Sequence, residues 1–205
     1  MDIAQVTAAI QEYVDASQLA GAATLVWRGG ETTVACAGWR DVAADLPIAR
    51  DTIFRIASMT KPITSTAALI LLEEGKLALD DPVARWAPEF ARMRVLRSPA
   101  GPLDDTDEAA RPITIEDLLT HRSGLTYGDF HRGPLATAHA DALGGDIDSH
   151  VAPDDWIARL AALPLIDQPG RAFHYGHSTD LLGLLLARID DRPLGDLLQR
   201  RIFDP

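Results

Sequence analysis

Cysteine, positive charge and long apolar runs are all scarce in this sequence. Cys36 is the single cysteine among 205 residues, so no disulfide can form within the chain. The 19 lysines and arginines are outnumbered by 30 aspartates and glutamates, and the net charge is −11. Because phosphate contacts need clustered basic side chains, we expect no nucleic-acid partner. The longest apolar stretch, near residues 181–187, is too short to cross a bilayer, so no membrane partner is expected either.

The N-terminal segment, MDIAQVTAAIQEYVDASQ, lacks both features of a signal peptide, a basic start and a continuous apolar run. Its apolar residues recur at helical spacing and predict an amphipathic helix that begins near Asp2. We therefore expect a cytoplasmic protein.

Strand signals are concentrated near the N-terminus. The β-prone runs AATLVWR and ETTVACA are joined by Gly29-Gly30, which predicts a hairpin because glycine adopts positive φ without strain. The run TIFRIA predicts a third strand that leads into Ser58. From residue 58 to residue 74 the apolar positions follow one helical stripe, which Gly75 ends.

Helical patterns dominate the rest of the chain. Thr114 and Asp117 resemble a capping box, with aspartate in place of the usual glutamate. Further helices are predicted at about residues 153–163, 178–189 and 193–202.

Two segments of this second part have no helical pattern. Residues 98–112 are acidic and polar and are predicted to be flexible, and residues 128–150 form a candidate lid. The whole pattern predicts a mixed α/β (α+β) fold, an antiparallel sheet flanked by helices plus a helical subdomain. We assign residues 1–79 to the N-terminal part of the α/β domain and residues 80–205 to a mostly helical region.

The predicted sheet is small, because its two or three strands all lie near the start of the sequence. Such a sheet is rarely stable alone. Either it pairs with strands of another chain, as in a homo-oligomer, or the sequence is the N-terminal part of a longer protein and lacks the late strands. We expect the missing C-terminal segment of the same protein to be a partner of this chain.

The run Ser58-Met59-Thr60-Lys61 has the clearest chemical content. Ser58 and Lys61 lie three residues apart at the start of a predicted helix, so their Cβ atoms should share one face about 5–6 Å apart. A serine hydroxyl becomes a good nucleophile when a neighbouring base takes its proton, and a lysine can be that base. The helix N-terminus would also aim the Ser58 N–H at a reacting carbonyl. The spacing alone, however, favours a serine N-cap beside a solvated lysine.

Three longer stretches resemble the serine β-lactamase-like family, which includes class C β-lactamases, DD-peptidases and family VIII carboxylesterases. FRIASMTKPITSTAALILLEEGKLALDDPVARWAPEF resembles its nucleophile segment, and PGRAFHYGHSTDLLGLLLARI resembles the segment with its second catalytic element. ITIEDLLTHRSGL resembles a third segment, in which His121 and Arg122 match a structural turn. The resemblance covers essentially the whole chain and implies a β-lactamase/transpeptidase-like fold. It also implies that Ser58 is the nucleophile and that Lys61 and Tyr175 are the base pair.

The resemblance also bears on the substrate. In β-lactamases and peptidases of the family, the second residue after the tyrosine is often asparagine, whereas Tyr175-Gly176-His177 resembles the esterase branch. We take His177, Tyr127 and Phe130 as candidates for the substrate pocket. The family's third motif, of the K-T-G type, supplies a second oxyanion donor and has no match after Tyr175.

The function expected from these residues is hydrolysis of small to medium carboxylic esters through an acyl-enzyme on Ser58. A β-lactamase or DD-peptidase is the alternative within the same chemistry. A non-catalytic binding module of the same fold is the alternative outside it. No cofactor is expected, and no metal is expected because His174 and His177 have no third ligand at a recognised spacing.

Overall fold

The first helix begins where the sequence predicts. Helix α1 (Ile3–Asp15) starts directly after Asp2, whose carboxylate accepts a hydrogen bond from the Ala4 backbone N–H. This cap satisfies one of the amide groups that the first helical turn leaves unpaired.

A computed structural model describes residues 2–145 and 149–205. The chain divides into two compact units, one ending at Ile56 and the other spanning Ala57–Pro205. The division at residue 80 drawn from sequence patterns stays a prediction.

The N-terminal sheet is built on a hairpin. Strands β1 (Gly21–Arg28) and β2 (Glu31–Asp41) pair antiparallel, and the short strand β3 (Leu46–Pro47) pairs with the end of β2. At the hairpin turn Gly29 and Gly30 have φ of 60° and 87°, a region that glycine tolerates without strain. The hairpin predicted from the sequence is confirmed.

The strand predicted for TIFRIA, residues 52–57, is wrong. Residues 52–56 have no regular secondary structure, and the Ile53 side chain is 96% exposed. The segment ends at Ala57, whose φ of 44° lies in the left-handed region and breaks an extended run. Apolar β-prone side chains form a strand when a partner strand is available, and among the described residues this segment has none.

Helices dominate the second unit. A 3₁₀ turn (Ala57–Met59) leads into α2 (Thr60–Glu73), and Gly75, with φ of 70°, follows its end. Strands β4 (Arg94–Leu96) and β5 (Thr106–Glu108) form an antiparallel pair. The other α-helices among the described residues are α3 (Ile115–Leu119), α4 (Pro134–Leu143), α5 (Pro153–Ala161), α6 (Ser178–Ile189) and α7 (Leu194–Leu198), which continues as a π-helical turn (Gln199–Phe203).

The core of this unit lies where α6 packs against α2 and α3. Many of the side chains buried there are leucines, and their burial stabilises the fold through the hydrophobic effect. The packing also fixes the N-terminal ends of α2 and α6, near which the candidate catalytic residues lie. Completely buried members of this core include Leu71, Leu118, Leu181 and Leu185.

Residues 98–112, expected to be flexible, contain strand β5. Its Asp107 accepts a hydrogen bond from Arg97 Nη2 at 2.8 Å, just beyond the β4 strand. Part of the segment thus has regular structure, held by pairing of acidic side chains with arginines on and next to β4, and its flexibility stays a prediction.

Residues 128–150, where no period was recognised, contain α4. Its buried residues Leu135, His139 and Leu143 recur every four positions, and the histidine in the middle hid the stripe. Residues 146–148 of the candidate lid lie outside the described residues, and the lid itself stays a prediction.

The capping box that opens α3 is confirmed. Thr114 Oγ1 accepts from the Asp117 N–H, and the Asp117 carboxylate accepts from the Thr114 N–H. Two guanidinium nitrogens of Arg111 donate to the same carboxylate at 2.6 and 2.8 Å. Burial alone raises the pKa of Asp117, but the hydrogen bonds from Arg111 and Thr114 outweigh it and hold the pKa below its usual value. These hydrogen bonds fix the start of α3. The helix ends at Leu119, two residues before His121.

The predicted fold class, a mixed α/β arrangement of small antiparallel sheets and helices, is confirmed. Within residues 2–145 and 149–205, no helix has both the length and the apolar composition needed to cross a membrane.

Candidate active site

Ser58 lies in the tight turn that opens α2. The residue before it, Ala57, has φ of 44°, a conformation that non-glycine residues adopt at a cost and that often occurs near functional sites. Ser58 is exposed, and the Lys61 Nζ lies 3.4 Å from its Oγ. The position at a helix N-terminus also places Ser58 in the partial positive field of the first-turn amides.

Tyr175 reaches the same hydroxyl from the loop before α6. Its Oη lies 2.7 Å from Ser58 Oγ, and the Lys61 Nζ lies 4.7 Å from the centre of its ring. Partial burial raises the pKa of Tyr175, but hydrogen bonds with Lys61 and Ser58 and the positive charge of Lys61 outweigh it, so the pKa lies below its ordinary value. The structure thus brings together the three residues predicted to be catalytic.

Tyr127 connects Lys61 to a carboxylate. The Lys61 Nζ donates to Tyr127 Oη at 3.2 Å, and the Tyr127 hydroxyl donates to Asp180 Oδ2 at 2.8 Å. Tyr127 is only 7% exposed, so its hydroxyl is held on the inner side of the site. Burial raises the pKa of Asp180, but hydrogen bonds from His177 and Tyr127, together with the nearby charge of Lys61, hold it below the usual value.

The three predicted pocket residues lie at different depths. Phe130 is 67% exposed, and its ring packs edge-on against Tyr175 at 5.7 Å. His177 is 1% exposed and packs behind Tyr127, with ring centres 4.6 Å apart, and against Trp156. Phe130 is therefore available to a ligand beside Tyr175, whereas His177 contacts the site through Tyr127 and Asp180.

His121 and Phe173 lie beside the site, and the sequence did not predict that position for either residue. The imidazole of His121 stacks on the Tyr175 ring at 4.9 Å, and the exposed Phe173 packs edge-on against His121. Burial, and then the positive charge of Lys61, lower the pKa of His121, so the neutral ring faces Tyr175 at neutral pH. The structural turn predicted for His121 is visible in its φ of 55°.

Asp180 was also missed as a site residue. It stands in the first turn of α6, three residues after His177, so its carboxylate lies over the start of the helix. That spacing was readable in the sequence, but the contact with Tyr127 was not. Within the described part of the chain, no group of three or more histidine, cysteine or carboxylate side chains is arranged to hold a metal ion.

Curated relatives are similar in sequence to this chain over nearly its whole length. Protein Rv1367c of Mycobacterium tuberculosis is 49% identical over 199 residues, covering 97% of this chain and 48% of that protein. Esterase EstB of Burkholderia gladioli is 35% identical over 209 residues, covering 98% of this chain and 49% of the esterase. The chain thus spans about half the length of the curated relatives it matches.

Solved structures give the same result. The structure described as EstCE1, a hydrolase with promiscuous acyltransferase activity, superposes with a TM-score of 0.82 at 30% identity, covering 99% of this chain and 51% of that one. The named relatives of this fold thus include an esterase and a hydrolase with acyltransferase activity. The family profile described as Beta-lactamase matches residues 6–205. On this match and on the similarities in sequence and fold, the chain belongs to the Beta-lactamase family.

Proposed function

We propose that this chain carries the nucleophile of a serine hydrolase that cleaves carboxylic esters through an acyl-enzyme on Ser58. The observation that supports this most is the pair of contacts at one hydroxyl: Tyr175 Oη at 2.7 Å and Lys61 Nζ at 3.4 Å from Ser58 Oγ. A general base must lie within hydrogen-bond reach of the proton it removes, and the tyrosine meets that condition.

In the first half of the proposed reaction, Ser58 Oγ attacks the ester carbonyl carbon while its proton passes to the Tyr175 phenolate. The Lys61 ammonium stabilises the phenolate before the transfer, which agrees with the lowered pKa of Tyr175. The bond from carbon to the alcohol oxygen then breaks, and Tyr175 returns the proton to the leaving alkoxide. The products of this half are the free alcohol and an acyl group on Ser58.

In the second half, water attacks the acyl carbon and gives its proton to Tyr175. The bond between carbon and Ser58 Oγ breaks, and the proton returns from Tyr175 to the serine. One residue thus acts as base and then as acid in each half, which requires it to stay in contact with Ser58 throughout.

The exposed surface beside Ser58 supports an apolar acyl group as substrate. Met59, Phe130 and Phe173 are 66%, 67% and 64% exposed, and Phe130 packs directly against Tyr175. Met59 follows Ser58 directly in the sequence, and Phe173 packs against His121, so the three apolar side chains adjoin residues of the site. An alkyl or aryl acyl chain of small to medium length would cover them, and EstB is named as an esterase.

Acyl transfer to an alcohol is a second candidate function. The mechanism is unchanged except that an alcohol replaces water in the second half. The specific support is EstCE1, described as a hydrolase with promiscuous acyltransferase activity.

The proposed site needs polypeptide beyond residues 1–205. The chain covers about half of EstB and about half of EstCE1. A second oxyanion donor, predicted from the resemblance to lie on a late strand, would come from that further segment, and loss of one such donor costs about 10²–10³ in rate.

A pair of chromogenic substrates tests the proposal on the complete gene product. We expect p-nitrophenyl butyrate to be turned over, with kcat/KM well above that for nitrocefin, and we expect Ser58→Ala to abolish the ester activity. Ser98→Ala, on an exposed loop, is the matched control and should keep it. Nitrocefin turnover equal to ester turnover would favour the lactamase alternative, and no turnover of either substrate would favour a binding module.

A further inference from the structure

Lys61 contacts the oxygen atoms of two hydroxyl groups. Its Nζ lies 3.4 Å from Ser58 Oγ and 3.2 Å from Tyr127 Oη, and 4.7 Å from the centre of the Tyr175 ring. An ammonium has three N–H donors and no acceptor, so each of these oxygens must present a lone pair to it. A hydroxyl satisfies that condition only if its own hydrogen points elsewhere.

The hydrogen of Tyr127 does point elsewhere. The hydroxyl donates to Asp180 Oδ2 at 2.8 Å, and an ionised carboxylate can only accept. The low pKa of Asp180 keeps it ionised at neutral pH. The Tyr127 oxygen therefore faces Lys61 as an acceptor, and hydrogen bonds that involve charged groups are stronger than neutral ones.

Neither partner is free to drift. Tyr127 is 7% exposed and packs against the buried ring of His177, and the His177 Nδ1 lies 3.5 Å from Asp180 Oδ2. Asp180 itself stands in the first turn of α6, which is anchored in the core. The hydrogen-bonded series of side chains Asp180, Tyr127 and Lys61 thus links the first turn of α6 to Ser58.

We infer that Tyr127 and Asp180 are positioning residues, which hold the Lys61 ammonium against Tyr175 and Ser58 so that Tyr175 acts as the proton acceptor. The inference rests on the proposed function, and it replaces the sequence-based prediction that Tyr127 lines the substrate pocket. In this arrangement Tyr127 acts through Lys61, and Asp180 acts through Tyr127.

Tyr127→Phe in the complete gene product tests the inference without changing any charge. Losing one hydrogen bond to a charged group should lower kcat for p-nitrophenyl butyrate about tenfold to a hundredfold while KM stays nearly constant. The ascending limb of the pH profile of kcat/KM, where Tyr175 loses its proton and becomes the base, should move to higher pH because a less fixed Lys61 stabilises the phenolate less. The other ionisable side chains of this site are His121, His177, Asp180 and Lys61.

The order of the hydrogen bonds, from Asp180 through Tyr127 to Lys61, gives a second readout. Asp180→Asn should lower kcat in the native background but cause no further loss in the Tyr127→Phe background, because its effect passes through that hydroxyl. Asp155→Asn is the matched control, since Asp155 is an exposed carboxylate in the first turn of α5. It should leave kcat unchanged. If Tyr127→Phe does not fold, the test is the comparison of kcat and KM between Asp180→Asn and its control Asp155→Asn.

A raised KM with native kcat in Tyr127→Phe would indicate that Tyr127 lines the substrate pocket, and it would overturn the inference. Multiplicative losses of kcat in the double variant would overturn it as well. These results would leave the proposed function standing as long as Ser58→Ala is inactive. Full ester activity in Ser58→Ala would instead remove the proposed function itself.

Discussion

The hydroxyl oxygens of Tyr175 and Ser58 lie 2.7 Å apart although 117 positions separate the two residues in the chain. One comes from the turn that opens α2 and the other from the loop that precedes α6, and these two helices pack together in the core. His121 stacks on the Tyr175 ring and limits its movement. The contact is thus fixed by helix packing and by a stacked ring, which is what a proton-transfer pair requires.

Lys61 and Tyr175 should act as one unit. We expect Lys61→Ala and Tyr175→Phe each to lower kcat by about 10²–10⁴-fold and the double variant to lose no more than the worse single one. The measurement is steady-state ester hydrolysis, with the folded state of each variant checked by thermal unfolding. Losses that multiply would show that the two residues work independently.

The ionisation of Tyr175 should depend on Lys61. Hydrogen bonding and the positive charge of Lys61 lower the pKa of Tyr175, so Lys61→Met should raise it. The ultraviolet absorbance of the phenolate, taken as the difference between each protein and its Tyr175→Phe counterpart, measures this titration. An unchanged or lowered pKa in Lys61→Met would contradict the electrostatic account of the site.

The ion pair at the start of α3 should stabilise the second unit in a pH-dependent way. Because the folded-state pKa of Asp117 lies below its ordinary value, its contribution is present above about pH 4 and is lost as the pH falls through the folded-state pKa. We expect Asp117→Asn to lower the free energy of unfolding by about 1–2 kcal/mol at pH 7, and by less at acid pH. Denaturant unfolding at both pH values checks this, with Asp155→Asn as the control. Equal stability of Asp117→Asn and the native protein at pH 7 would be the contrary result.

Residues 1–205 should need further polypeptide for activity. The chain covers about half of the length of EstB, and among the described residues its N-terminal sheet has three strands, few for a stable sheet. We expect the isolated segment to be insoluble or loosely packed and to lack esterase activity, and the complete gene product to be active. Cooperative melting together with ester turnover in the isolated segment would contradict this, and its oligomeric state would then be the next measurement.

Much of this arrangement could be predicted from local sequence signals. The Asp2 cap, the Gly29-Gly30 turn and the Thr114 capping box each depend on a few neighbouring residues, and all three are found in the structure. The meeting of Ser58 with Tyr175 could be expected only from resemblance to a family.

The features that could not be predicted depend on distant contacts. The link between Tyr127 and Asp180 requires a loop and a helix end to meet across 53 positions. The missing strand at residues 52–57 reflects the lack of a partner strand among the described residues, not a property of its side chains. Helix α4 escaped detection because His139 is buried in its apolar stripe.

Covalent labelling tests the central claim, an acyl-enzyme on Ser58, most directly. The complete gene product is treated with a fluorophosphonate, and the site of attachment is found by peptide mass spectrometry. We predict one label on the peptide that contains Ser58, absent in Ser58→Ala and retained in Ser98→Ala. A label on a different serine, or equal labelling of Ser58→Ala, would contradict the account.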